Sequence, residues 1–185
     1  ALAALTTGAG NTSVGYKAGT ALTTGDRNIA IGEEALSKAT TESDDNVVIG
    51  YQSMYGNWTT AAVNDCVVVG NYALQGVLAS AASGSVALGR GALAALTSGA
   101  DNLAIGYTAL AANTTALGNL AIGRNALNDL NHANSQRNIA IGAYAGDQMG
   151  TADGNLDNIF IGYSTGGGDW HASNATQYNV GIGNY

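Results

Sequence analysis

Asn28-Ile29-Ala30-Ile31-Gly32 returns as Asn102-Leu103-Ala104-Ile105-Gly106, as Asn119-Leu120-Ala121-Ile122-Gly123 and as Asn138-Ile139-Ala140-Ile141-Gly142. Looser copies carry the motif along the whole chain. Its glycine falls at Gly15, Gly32, Gly50, Gly70, Gly89, Gly106, Gly123, Gly142, Gly162 and Gly183, in steps of 17 to 21 residues. Self-similarity at a short, nearly fixed period marks a repeat architecture, in which each unit buries its apolar side only against its neighbours. The 185 residues therefore read as one all-β domain, 1–185, a parallel β-solenoid of about ten coils. Ala1-Leu2 match the alanine-leucine pair that closes other repeats, as in Ala35-Leu36 and Ala92-Leu93, so the chain starts in mid-repeat and reads as a segment of a longer polypeptide.

Inside the motif the side chains alternate, which is the period of a strand. Ile29 and Ile31 point one way, and Asn28, Ala30 and Gly32 the other. One face carries branched aliphatics; the other carries alanine, serine, valine, glycine and, once, Phe160. Neither face is polar, the pattern of a strand covered on both sides. The expectation is that the aliphatic face fills the inside of each coil. The small face, Ala30, Ala104, Ala121 and Ala140, is then expected to pack against a partner chain.

The glycine ending each strand suits a sharp turn or a positive φ. A second short element follows it. Ala92-Leu93-Ala94-Ala95-Leu96 and Ala126-Leu127-Asn128-Asp129-Leu130 place leucines three apart, as in one helical turn, whereas Tyr107-Thr108-Ala109-Leu110 reads equally as a strand. Loops such as Thr23-Thr24-Gly25-Asp26 and Thr97-Ser98-Gly99-Ala100-Asp101 are rich in turn formers. Asn28, Asn46, Asn102, Asn119, Asn138, Asn158 and Asn179 recur in register, which predicts a ladder of stacked amides with a structural role.

Composition narrows the function classes. Apolar residues make up 46% and are largely alanine, aromatics only 6%, and there is no proline, so one thick core is not expected. The net charge is −7 and no run of Lys or Arg exists, which argues against nucleic acid as a partner and against a membrane-surface role. No apolar run approaches the ~20 residues of a membrane-spanning helix, so direct membrane insertion is not expected. Cys66 is the one cysteine and stands where other repeats carry asparagine, the place of a small buried thiol.

Catalysis needs convergent acids, bases or nucleophiles. Glu33-Glu34, Asp44-Asp45 and Asp153 with Asp157 are the tight acidic groupings. A glycosidase pair among them is the enzyme alternative, a tailspike that degrades polysaccharide. His132 and His171 lack a second histidine or cysteine at ligand spacing, and Asp153 to Asn158 lacks the EF-hand order. No metal or cofactor is therefore expected, and the chain reads as non-enzymatic. The pairs Thr6-Thr7, Thr23-Thr24, Thr59-Thr60 and Thr114-Thr115 raise ice or surface binding, but adjacent threonines on a strand point to opposite faces.

Trp58 and Trp170 lie in two of the longest inserts between motif glycines. Inserts on a rigid solenoid project from it and often carry function. A tryptophan beside amides and hydroxyls is suited to stacking on a sugar ring, so Trp170, His171, Tyr178 and Trp58 are the candidate receptor contacts. Tyr16, Tyr51, Tyr107 and Tyr163 each follow a motif glycine and read as a packing stripe.

The strand motif N-x-A-I-G with a following x-x-A resembles the head repeat of YadA-like trimeric autotransporter adhesins. The longer form, with G-Y-x-A-L and a T-T-G loop, is similar to repeats in phage tail fibres. This resemblance covers essentially the whole chain. It implies a left-handed parallel β-roll, three chains side by side, an extracellular place on a virion fibre or bacterial surface, and attachment to a host or target cell through a surface glycan or protein. The family's head repeat is shorter and more uniform than 17 to 21 residues, so the extra residues are expected to form wider loops.

Overall fold

The computed structural model of the chain describes residues 1–39, 42–56, 62–79, 82–149, 154–167 and 177–184. Each motif copy forms a three-residue strand: β1 (Thr12–Val14), β2 (Ile29–Ile31), β3 (Val47–Ile49), β4 (Val67–Val69), β5 (Val86–Leu88), β6 (Leu103–Ile105), β7 (Leu120–Ile122), β8 (Ile139–Ile141), β9 (Ile159–Ile161) and β10 (Val180–Ile182). They pair in parallel and in chain order as one ten-stranded sheet. The register is direct throughout, so Ala104 lies beside Ala121 and Ala121 beside Ala140. One repeat thus advances the chain by one strand, and the fold is an all-β parallel solenoid with no α-helix among the described residues.

Which face points inward is the reverse of the expectation from sequence. The middle residue of each central strand is buried inside its own coil: Ala30, Val48, Val68, Ala87, Ala104, Ala121, Ala140 and Phe160 are at most 3% exposed. The flanking aliphatics point out, and Ile29 and Ile31 are 36% and 37% exposed. Ala30, Ala104, Ala121 and Ala140 are therefore core residues, not contacts between subunits. The reason is volume. After six of the motif glycines comes an Ala-Leu or Ser-Met pair that also points inward, and Leu36, Met54, Leu74, Leu93, Leu110 and Leu127 are fully buried against the strand from the other side. Such thin coils have no room for isoleucines as well, because protein interiors pack near crystal density.

The second element is neither a helical turn nor a strand. Two residues and four residues past the motif glycine the backbone enters the left-handed region, as at Glu34 (φ 58) and Leu36 (φ 50), or Asn125 (φ 56) and Leu127 (φ 48). Reversing hand at alternate residues aims successive N–H groups at opposite neighbours. Glu34 donates to the Tyr16 carbonyl one coil back at 2.8 Å, and Leu36 to the Ser53 carbonyl one coil ahead at 3.1 Å. The turns therefore stack by hydrogen bonds as the strands do. A leucine with positive φ costs on the order of 1–3 kcal/mol; full burial of its side chain offsets this by a similar amount.

The motif glycine sits at the corner between these two ladders. Its φ runs from 127 to 142 over the ten copies. A Cβ on Gly15 would lie 2.6 Å from the Gly32 carbonyl oxygen, so the backbones stack too closely for any side chain.

At the opposite end of each strand the asparagines form a ladder. The backbone N–H and Nδ2 of Asn46 donate to Asn28 Oδ1 at 3.1 and 3.0 Å, and Asn138 does the same to Asn119 at 3.0 and 3.0 Å. Asn119 repeats the pattern on Asn102, Asn158 on Asn138, and Asn179 on Asn158. Asn11 adds a rung, accepting from Asn28. Cys66 and Ser85 interrupt the series, though Cys66 N–H still donates to Asn46 Oδ1 at 3.0 Å. The spare Nδ2 hydrogen bonds a carbonyl across the coil, as from Asn46 to Val63 at 2.8 Å and from Asn138 to Asn155 at 2.8 Å. Buried amides are thereby satisfied, which removes the penalty of burying them.

Candidate functional site

Among the outward positions of the ten strands only Thr12 is not Val, Ile or Leu. Direct register lines these side chains into two rows running the length of the sheet. A hydrophobic strip this long and this free of charge is unusual on a solvent-facing surface. Parallel sheets are ordinarily covered on both faces.

Past the glycine corner runs a second surface row, of tyrosine and arginine. Tyr51 meets Tyr72 edge to face at 5.3 Å, and the Arg90 guanidinium lies 5.8 Å from the Tyr72 ring centre. Arg124 lies between Tyr107 at 5.8 Å and Tyr144 at 5.7 Å, and Tyr144 meets Tyr163 at 5.9 Å. The tyrosines after the motif glycines thus pack as a stripe on the surface, not in the core. Tyr16, Tyr107 and Tyr163 are 65%, 47% and 52% exposed.

Of the candidate receptor contacts, Trp58, Trp170 and His171 lie outside the described residues. Tyr178 is described, is exposed, and donates its N–H to the Leu156 carbonyl at 3.1 Å. Beside it, Gln177, Leu156, Gly154, Gln136, Arg137 and Asn134 line an open recess. The one cation there is engaged: Arg137 Nε and Nη2 donate to the two Asp157 oxygens at 2.7 and 2.9 Å, which raises the Arg137 pKa and lowers that of Asp157.

The other acidic groupings hold coils together. Asp45 takes two hydrogen bonds from Arg27 one coil back, at 2.6 and 2.8 Å, and its pKa is lowered by them. Asp44 Oδ1 accepts from the Asp26 N–H at 2.7 Å, and Glu34 faces Lys17 at 3.8 Å. Within the acidic stretch near the C-terminus, Asp157 is bound to Arg137 and Asn158 stands in the ladder. No group of three His, Cys, Asp or Glu side chains suited to a metal ion occurs among the described residues. Thr6 and Thr97 each donate their hydroxyl to a carbonyl of the next coil, at 2.9 and 2.8 Å, so these threonines serve the turns. Cys66 is buried, which pushes its thiol up to about 11.

No family model, curated protein or solved structure matches this chain.

Proposed function

We propose that the chain is a stiff structural and adhesive segment of a trimeric fibre, assembled from parallel copies that bury their outward aliphatic rows against one another. The observation that carries this reading is the aliphatic face itself. Left in water, its isoleucines and valines forgo roughly 25 cal/mol for each Å² of apolar surface that a partner would cover. The partner must also fit it along the whole sheet. With parallel strands ~4.8 Å apart, nine intervals make a strip on the order of 43 Å long with an unchanging period. Another copy of the same solenoid, parallel to the first, presents that period by construction.

Three copies, an extracellular place on a virion or bacterial surface, and attachment to a cell-surface glycan or protein follow from the resemblance to YadA-like heads and tail-fibre repeats. The fold supports a spacer role in its own right, since a stack bonded at every coil by its strand ladder, and along most of its length by the amide ladder, bends little.

Assembly is tested by light scattering over the micromolar range. The wild-type chain is expected to run as a trimer. Ile105→Glu with Ile122→Glu, which places two carboxylates on the outward face and leaves the coil interior untouched, is expected to give a monomer with the same circular dichroism. A wild-type monomer stable at those concentrations overturns the reading, as does a double variant that remains trimeric.

A further inference from the structure

We propose that the tyrosine-arginine ridge from Tyr72 to Tyr144 is a docking track for an acidic polysaccharide, with Arg90 and Arg124 receiving uronate carboxylates and the tyrosines flanking its sugar rings. The inference rests on the adhesive reading and gives it a surface and a ligand class.

The argument begins with charge. The chain has six Lys and Arg against thirteen Asp and Glu, so a cation without an acidic partner is conspicuous. Arg27 is held by Asp45, Arg137 by Asp157, Lys17 faces Glu34, and the half-buried Lys38 lies over the Tyr55 ring. Arg90 and Arg124 differ. Their side-chain contacts among the described residues are with tyrosine rings alone, and both are exposed. A guanidinium whose only partners are ring faces at this distance keeps its five N–H donors, in a fixed fork, free for a carboxylate. The Tyr72, Tyr107 and Tyr144 rings hold the two forks in place, so little side-chain freedom is lost on binding.

Spacing selects the ligand class. Arg90 and Arg124 each follow a motif glycine, Gly89 and Gly123, with the Gly106 coil between them. Two coil rises separate them by on the order of 10 Å along the axis, comparable to the length of one disaccharide. A polymer with one carboxylate per disaccharide presents that interval when it lies parallel to the solenoid. A nucleic acid carries charge far more densely and gains most from many cations, which this chain lacks. The tyrosines supply what a sugar needs besides charge, an apolar ring face with a hydroxyl at its rim.

The test uses the full chain in whatever assembly the wild type forms. Binding is measured by titration calorimetry with three probes: hyaluronan oligosaccharide, with one uronate per disaccharide; dextran oligosaccharide, which is neutral; and poly-glutamate peptide, which is acidic but not a sugar. The expected result is binding of hyaluronan alone, weakened at least tenfold in Arg90→Gln/Arg124→Gln with unchanged melting temperature, and retained in Arg27→Gln. The proposal is overturned if hyaluronan does not bind, if the double variant binds it equally well, or if poly-glutamate binds as tightly. Cell attachment by the double variant separates the two readings: a fibre that attaches undiminished keeps its adhesive role and loses this ridge as the site.

Discussion

The coil around Ala121 and the coil around Phe160 solve the same packing problem in opposite ways. In the first, a small strand residue faces large turn residues, Leu110 and Leu127, all fully buried. In the second, a phenyl ring stands in the strand, and the corresponding turn positions on either side are glycines, Gly146 and Gly166. A Cβ on Gly166 would lie 2.6 Å from two carbons of the Phe160 ring, and one on Gly146 would lie 3.3 Å from a third. The glycines clear the space that the ring occupies. Between these two coils the bulk moves from turn to strand while the interior stays filled, as expected of an interior packed to crystal density.

The largest expected effect breaks this exchange. Phe160→Ala removes the ring where no turn side chain can replace it, and should cost about 3–5 kcal/mol. Ala121→Phe adds a ring to a coil already filled by leucines and should also destabilise, by roughly 1–3 kcal/mol or more. The sharper test is a double-mutant cycle. Gly166→Leu alone drives a side chain into Phe160, but combined with Phe160→Ala it rebuilds the common alanine-leucine pairing. The positive φ of 71 at Gly166 is no obstacle in kind, since leucines take φ near 50 at the same place in other coils. Urea denaturation of the four proteins should show the double variant more stable than the sum of the singles by at least ~1 kcal/mol. Additive effects would show that the two positions do not share a volume.

The stacked strands, their parallel direction and the asparagine ladder were legible in the sequence, because each depends on spacing alone. The direction in which the strand faces was not. Alternation separates two sets of side chains but does not say which set is inside, and here both sets are apolar. The usual inference that larger residues fill the interior fails because the turn contributes its own leucines. The signal was available in the recurring alanine-leucine pair and in the coincidence of Phe160 with Gly146 and Gly166. The left-handed turn residues were also hinted at, since Gly19, Gly91, Gly146 and Gly166 occupy those positions in some coils. Of the surface features, the tyrosines were visible as a series. Their pairing with Arg90 and Arg124 was not, because it joins residues from neighbouring coils.

A second, intermediate effect compares an interior rung of the amide ladder with the last one. Asn119 is fully enclosed, donates to Asn102 Oδ1, Leu117 and Ser135, and accepts from Asn138 twice. Asn119→Ala leaves the buried Asn138 N–H without its acceptor, which should cost about 1–3 kcal/mol. Asn179 is exposed and donates to Asn158 and Gln177. Asn158 Oδ1 keeps the bond from the Asn179 backbone N–H, and no further rung loses an acceptor, so Asn179→Ala should cost less than half as much. Thermal melts of the two variants decide the point. Equal losses would mean that the amides act through local turn geometry rather than through the burial of the rungs.

The smallest effect concerns the rung that is not an asparagine. Cys66 sits in the ladder, fully buried, and desolvation raises its thiol from about 9 to about 11, against a smaller opposing contribution from the Ser85 and Gly84 backbone. The unfolded chain ionises this thiol first, so it binds fewer protons than the folded chain between those two values. Stability from keeping the thiol neutral is therefore complete below about pH 9 and is lost as pH rises toward about 11. The difference in denaturation midpoint between wild type and Cys66→Ser should shift across that window and nowhere below it. In the native state near pH 8 the thiol should resist a disulfide reagent until the coil opens, because the neutral, enclosed form is a poor nucleophile. Cys66→Asn completes the series of amides between Asn46 and Ser85 and should add a few tenths of a kcal/mol, up to ~1. A loss instead would show that the sulfur fills a volume the amide cannot, making the rung at Cys66 a matter of packing, as at Phe160, rather than of hydrogen bonds.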